Sequence, residues 1–217
     1  MISKNLKDRT ITSIGLIIIL ILIIKYQFFL ISCLFVLGIL SLIEFFSLIR
    51  KILKNKIFLL LSNFSFTIFI FIFCFLFFFF SNFIQLKLIL FSILLACIGS
   101  DIGGFIFGKF FQGPKLFKKI SPNKTISGSI GAVIFSCLFI FFTIFYFIDT
   151  YNFKILYVGI VTSITCQLGD LFFSFLKRKA KVKDTGYILP GHGGVLDRLD
   201  GIFFGLPLGF ITLILIF

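Results

Sequence analysis

The run IFLLLSNFSFTIFIFIFCFLFFFF, residues 57–80, carries no charged side chain and ends in four consecutive phenylalanines, Phe77 to Phe80. At about 1.5 Å per residue a helix of this length covers roughly 36 Å, more than a hydrocarbon core of about 30 Å. Working outward, six further apolar runs appear at roughly 10–24, 28–48, 86–107, 128–148, 154–176 and 201–217. The composition agrees: 59% of the 217 residues are hydrophobic, 13% are charged, and the mean hydropathy is +1.19. A soluble domain carries about 45–50% apolar and about 25% charged residues, so this excess has no soluble core to fill. Disorder, collagen-like repeats and a disulfide-stapled secreted fold are excluded on the same grounds. The expected fold is all-α, a polytopic bundle of about seven transmembrane helices.

The 21 Lys and Arg against 8 Asp and Glu give a net charge of +13. In a soluble protein that excess would suggest a nucleic-acid partner. Here 18 of the 21 cations fall in alternate segments: the N-terminal tail and the stretches after the second, fourth and sixth runs. The remaining three, Lys25, Lys87 and Lys154, lie in the other loops. This is the positive-inside pattern, not a nucleic-acid footprint, and it predicts a cytoplasmic N-terminus. The first run resembles a signal peptide, but no small-x-small cleavage site follows and an uncleaved first helix is expected. Five cysteines are scattered one per run without C-x-x-C spacing, which reads as apolar filling. Gly103 to Lys109 mimics a P-loop, but it lies in a membrane run with no strand before it and has Phe110 in place of Ser or Thr. Gly104-x-x-x-Gly108 and Gly201-x-x-x-Gly205-x-x-x-Gly209 read instead as helix-packing faces.

With eight acids in the chain, each position is informative. Asp101 and Asp170 lie inside apolar runs, each about six residues from the predicted cytoplasmic end, roughly 9 Å deep. An intramembrane carboxylate costs a few kcal/mol to insert and normally faces a protein interior or a polar cavity. Carboxylates beside several Lys and Arg suit a phosphate bound through a divalent cation. Hard oxygen ligands hold Mg²⁺ while cations neutralise the remaining phosphate charge.

The densest chemical stretch is KRKAKVKDTGYILPGHGGVLDRLD, residues 177–200. It holds six of the chain's cations, three acids, the one histidine and a glycine-rich turn. Glycines at that density let backbone N–H groups approach an anion. His192 has no Cys or second His at zinc-ligand spacing, so a packed or phosphate-contacting role is expected. Asp197 and Asp200 share one face if a helix starts there.

These residues also resemble a family. Ser174 to Asp200, written S-F-L-K-R-x(4)-K-D-x-G-x(2)-L-P-G-H-G-G-V-L-D-R-L-D, is similar to the signature of phosphatidate cytidylyltransferases. Ser100-Asp101 with Gly103 and Phe107-Gly108-Lys109 agrees, as do Ser121-Pro122 with Lys124-Thr125 and Gly128-Ser129, and Gln167-Leu168-Gly169-Asp170. The resemblance covers roughly residues 96–217. The sequence departs from it at Ile126 and Ser127, where the family commonly has Trp and Glu, and at Asn123, where it has a second Lys. The chain is also short for the family.

The resemblance implies transfer of CMP from CTP to phosphatidic acid, giving CDP-diacylglycerol and pyrophosphate at the inner face of the cytoplasmic membrane. It implies Mg²⁺ as cofactor, leaving room for a second, monovalent cation, and Asp170 and Asp197 as principal metal ligands with Asp101 assisting. Lys124 and Asp184 join them as catalytic residues. Ser121, Lys177, Arg178, Lys183, His192, Gly193, Gly194 and Arg198 are expected to bind the substrates, Arg198 either by pairing with Asp197 or by touching pyrophosphate. Residues 1–85 are expected to form three N-terminal spans, and residues 86–217 the catalytic membrane domain with cytoplasmic loops 108–127 and 177–200. A homodimer is left open. Alternatives are a CTP-dependent polyprenol or phytol kinase and, from another class, a transporter, although transporter sites lie near the midplane on broken helices.

Overall fold

The computed structural model describes residues 15, 18, 21–117, 119–148, 152–188 and 193–216. Its elements are α1 (Gln27–Ile52), α2 (Lys56–Ser81), α3 (Ile84–Phe110), β1 (Lys115–Phe117), β2 (Ser121–Thr125), α4 (Ile126–Ile148), α5 (Ile155–Lys179), α6 (Leu196–Leu199) and α7 (Ile202–Ile216). Among the described residues, six helical stretches are long and apolar enough to cross a membrane. They match the six apolar runs after the first. Of the run 10–24, residues 15, 18 and 21–24 are helical and the others lie outside the described residues.

Hydrocarbon offers no partner for a peptide group, so a spanning segment must satisfy its backbone internally. Several side-chain hydroxyls follow the same rule. Ser32 donates to the Phe28 carbonyl at 2.8 Å, Thr67 to Asn63 at 2.8 Å, Thr143 to Phe139 at 2.7 Å and Thr165 to Val161 at 2.7 Å. Each bonds back one turn within its own helix, so a hydroxyl enters the apolar helix without an orphaned proton.

The chain divides into two compact units: the described parts of Met1–Phe78 with Leu176–Leu199, and Phe79–Phe175 with Asp200–Phe217. In the first, α1 and α2 meet through stacked Phe45 and Phe66 rings, 3.8 Å between centroids, and through Gly38, which lies against Cys74 and Ile70. The loop after α5 and the short α6 group with these early helices and not with the other late ones.

In the second unit, glycines set the packing. Lipid tails are as apolar as Leu, so helices associate where small residues let backbones approach. A Cβ on Gly103 would collide with the Gly131 carbonyl and Phe135, and one on Gly131 would collide with Phe107. Gly104 lies against Ala132, and Gly108 against Thr125 and Gly128. The sequence Gly103 to Lys109 is therefore part of a helical seam between α3 and α4. Just before α7, a Cβ at Gly201 would come 2.5 Å from Cys166 Sγ; on α7 one at Gly205 would come 2.9 Å from Cys97 Sγ, while Gly209 abuts Thr162. Both glycine series are packing faces, and all five cysteines are free thiols.

The loop 108–127 holds the feature that the all-α expectation did not contain. Strands β1 and β2 pair antiparallel, Lys115 with Thr125 and Phe117 with Ser121, with an irregularity in register between them. Gln112 and Gly113 enter the hairpin at φ 49° and 104°. Thr125 then starts α4 as its cap, its Oγ1 accepting the Gly128 N–H at 3.1 Å.

Candidate active site

Asp101 and Asp170 each stand nine residues before the last residue of their helix, α3 and α5. That is about 14 Å from the helix end, somewhat deeper than the sequence suggests. Both line one cavity of about 290 Å³ in the second unit. Helix α3 also contributes Ser100, the hairpin contributes Ser121, Asn123 and Lys124, α4 contributes Ser129, and α5 contributes Gln167. Lys124 is ion-paired to Asp170 Oδ2, and Ser174 Oγ donates to Asp170 Oδ1 at 3.1 Å.

Behind this pair runs a chain of polar contacts. Ser129 Oγ donates to Gln167 Oε1 at 2.5 Å, Gln167 Nε2 donates to Ser163 Oγ at 3.1 Å, and Ser163 shares a 2.8 Å bond with buried Ser100. These links tie α3, α4 and α5 together around the cavity and hold Gln167 in one orientation. The helix period explains their meeting: Ser163, Gln167, Asp170, Ser174 and Lys177 recur every three or four residues on α5. That polar stripe on an apolar helix was a readable signal for Gln167 and Ser163, neither of which stands among the expected site residues.

The departures from the family signature also have places here. Asn123 lines the cavity, and Ile126 is exposed at the start of α4. Ser127 donates to the Gln112 carbonyl and is bonded to Thr125 at 3.1 Å, bracing the turn into the hairpin.

In the first unit, Asp197 on α6 is held by four donor groups. Lys177 Nζ meets Oδ1 at 2.7 Å, and Oδ2 accepts the Thr185 N–H at 2.8 Å, the Thr185 hydroxyl at 3.0 Å and the Gly194 N–H at 3.0 Å. Lys177 is 8% exposed, an unusual burial for a lysine and one that its carboxylate partner makes tolerable. Gly193 sits at φ +84°, where glycine is the natural residue, with Asp184 and Asp197 beside its α-carbon. Arg178, Lys183 and Arg198 are exposed, and His192 lies outside the described residues. Asp200 falls past the end of α6 in the second unit, where its Oδ1 accepts the Gly201 N–H at 2.8 Å. Helix α6 is thus too short to put Asp197 and Asp200 on a shared helical face.

A further residue outside the expected set is Glu44 on α1, 3% exposed. Its Oε1 accepts the Val195 N–H at 3.0 Å, and its Oε2 accepts the Leu196 N–H and the Thr185 hydroxyl, each at 2.8 Å. Gly186 and Gly194 press against this carboxyl so closely that neither position has room for a Cβ. Thr185 has one hydroxyl proton and two carboxylates within reach, so it links Glu44 to Asp197. Thr185, Gly186 and Gly194 to Leu196 are gathered around two acids.

A sequence model described as the cytidylyltransferase family matches residues 4–216. Among curated proteins, a phosphatidate cytidylyltransferase of Staphylococcus haemolyticus is 48% identical over 132 residues, covering 59% of this chain and 50% of that protein. Those of Staphylococcus aureus and Staphylococcus epidermidis are 46% identical over 132 and 131 residues, with the same coverage. The match thus spans about half the length of these relatives.

Proposed function

The chain belongs to the cytidylyltransferase family, and from that membership we propose that it transfers CMP from CTP to phosphatidic acid, releasing pyrophosphate and forming CDP-diacylglycerol. The observation that carries this reading is the cavity in which the Lys124–Asp170 ion pair and Asp101 stand among neutral oxygen and amide groups, inside membrane-spanning helices. A phosphate oxygen of the lipid attacks the α-phosphorus of CTP; the bond to the bridging oxygen of the β-phosphate breaks, and pyrophosphate takes the electron pair. Both reactants are anions. Catalysis of such a step rests on positioning and charge neutralisation.

The residues fit a magnesium ion. Asp101 and Asp170 are hard oxygen donors lining one cavity, beside the hydroxyl and amide oxygens of Ser100, Ser121 and Gln167. Mg²⁺ suits such a set, since it takes one or two carboxylates and draws other ligands from water and substrate phosphates. Bound there, the ion would supply charge neutralisation to the phosphates. Asp197 is a further proposed ligand from the family pattern; its present partners are Lys177, Thr185 and Gly194.

Lys124 is the cation placed to exchange its carboxylate partner for an incoming phosphate. The α4 N-terminus, whose Thr125, Gly128 and Ser129 line the same cavity, adds backbone N–H groups and a favourable dipole for an anion. In this reading Lys177, Arg178, Lys183, Arg198 and the turn with His192, Gly193 and Gly194 meet CTP from the cytoplasm. The site then faces the cytoplasmic side of the inner membrane.

The test is purified protein with phosphatidate, Mg²⁺ and CTP labelled in the cytidine. A labelled lipid is expected. Label that stays entirely in water-soluble nucleotide would reject cytidylyl transfer and point to a CTP-dependent lipid kinase if phosphate reaches the lipid. Asp197→Asn with near-normal turnover and unchanged Mg²⁺ dependence would remove Asp197 from the metal site.

A further inference from the structure

Helices α1 and α2 are joined by a short turn. Leu53 caps α1 in extended conformation, its N–H bonded to the Ile49 carbonyl at 2.9 Å, and Asn55 Oδ1 accepts the Ile57 N–H at 3.0 Å as α2 begins. At this joined end a cleft of about 810 Å³ opens between the two helices, separate from every residue assigned to the reaction. Arg50, Lys54 and Lys56 line it, and among the described residues no acidic one does. Phe46, Leu53 and Leu59 supply an apolar part of the lining. Asn63 completes it with an Oδ1 that is buried without a hydrogen-bond partner among the described residues.

We infer that this cleft is a binding site for the phosphate headgroup of an anionic phospholipid, and that it is an accessory site, not the reaction site. Three cations around one cavity, with no acid among the described lining residues, suit a phosphate monoanion or dianion. Their position at the ends of two membrane helices is where lipid headgroups lie, and basic pockets between helices at that level suit anionic lipids. A free phosphate would use the cations alone. A phospholipid also uses what lies below them: Phe35, Ile39 and Ile43 run along α1 at four-residue spacing from Ser47 at the cleft, 69%, 41% and 57% exposed. That stripe gives an acyl chain an apolar surface continuous with the headgroup cleft. The orphaned Asn63 Oδ1 is an acceptor that a headgroup hydroxyl or an ordered water satisfies.

The neighbouring Lys51 separates a built site from diffuse surface charge. It lies in the same turn and is exposed, yet it does not line the cleft. The experiment titrates detergent-purified protein with phosphatidylglycerol or phosphatidylcholine and counts bound lipid by native mass spectrometry. Phosphatidylglycerol is expected to bind in preference. The triple variant Arg50→Gln/Lys54→Gln/Lys56→Gln should lose roughly tenfold or more in that affinity. Lys51→Gln should match the parent, Lys54→Arg/Lys56→Arg should retain binding, and excess inorganic phosphate should leave the lipid bound. Size-exclusion profiles check that each variant is folded, and these exposed substitutions remove no buried contact. Equal affinity for both lipids, or equal loss in Lys51→Gln and the triple variant, would overturn the site. Displacement by inorganic phosphate would overturn the lipid as its ligand.

Discussion

Glu44 and Asp170 are both carboxylates inside apolar helices, and their surroundings give them opposite duties. Asp170 lines a cavity and is held there by the Lys124 ammonium of the hairpin and the Ser174 hydroxyl; Glu44 is spent on backbone N–H groups and a hydroxyl. Asp170→Asn should lower turnover by about 10²–10³ while leaving the unfolding midpoint close to the parent, because it removes charge at a solvent-reachable site. A steady-state assay beside a thermal melt in the same detergent reads both quantities, and normal turnover would refute the role. Glu44→Ala should do the reverse first: two buried N–H groups lose their acceptor, costing about 2–5 kcal/mol of stability in total. Turnover should fall as well, because Thr185 and the loop holding Asp197 lose their anchor. An unchanged melt would show that the loop does not depend on Glu44. Asp170 was legible in the sequence because a lone acid amid apolar residues is conspicuous. Glu44 was not, since an acid near a helix end looks like an interface residue and its partners lie 141–152 residues away.

At the scale of elements, the helices were legible and the hairpin was not. A helix in lipid announces itself by 20 or so apolar residues, and the boundaries of α2 and α4 fall within two residues of the apolar runs at 57–80 and 128–148. Strand β2 is SPNKT, with a proline and two poor strand formers in five residues, so its pairing follows from what surrounds it and not from propensity. The α3–α4 seam was visible as a glycine spacing, but the register of the two helices was not. Gly131→Val tests that register. The new side chain must enter the space of Phe107, so the seam should open and stability should fall by about 1–3 kcal/mol, with loss of the cavity lined by both helices. Chemical unfolding in mixed micelles, alongside the CMP-transfer assay, measures the two effects. Wild-type values in both would show that α3 and α4 do not approach as closely as described.

For the whole molecule, charge placement carries the orientation. Eighteen of 21 cations lie in alternate segments, and the residues proposed to meet CTP belong to that set. A reporter fused after Phe217 should therefore read as non-cytoplasmic and one in the 177–188 stretch as cytoplasmic; a cytoplasmic C-terminal reporter would break the odd span count. The division into compact units was not legible. Nothing in the composition of residues 176–199 says that they group with the first helices rather than with their sequence neighbours.

That grouping sets a timetable. Glu44 is made long before Thr185, Val195 and Leu196, with 141–152 residues of chain between them. At synthesis rates of about 5–20 residues per second, α1 waits roughly 7–30 s for the donors that satisfy its carboxylate. During that interval a newly inserted helix carries an acid with no native partner, and neither compact unit is yet complete. Thr185, Val195 and Leu196 thus complete the surroundings of Glu44 late, and a ribosome that stalls before Thr185 leaves behind a nascent membrane protein with an unsatisfied anion for quality control to find.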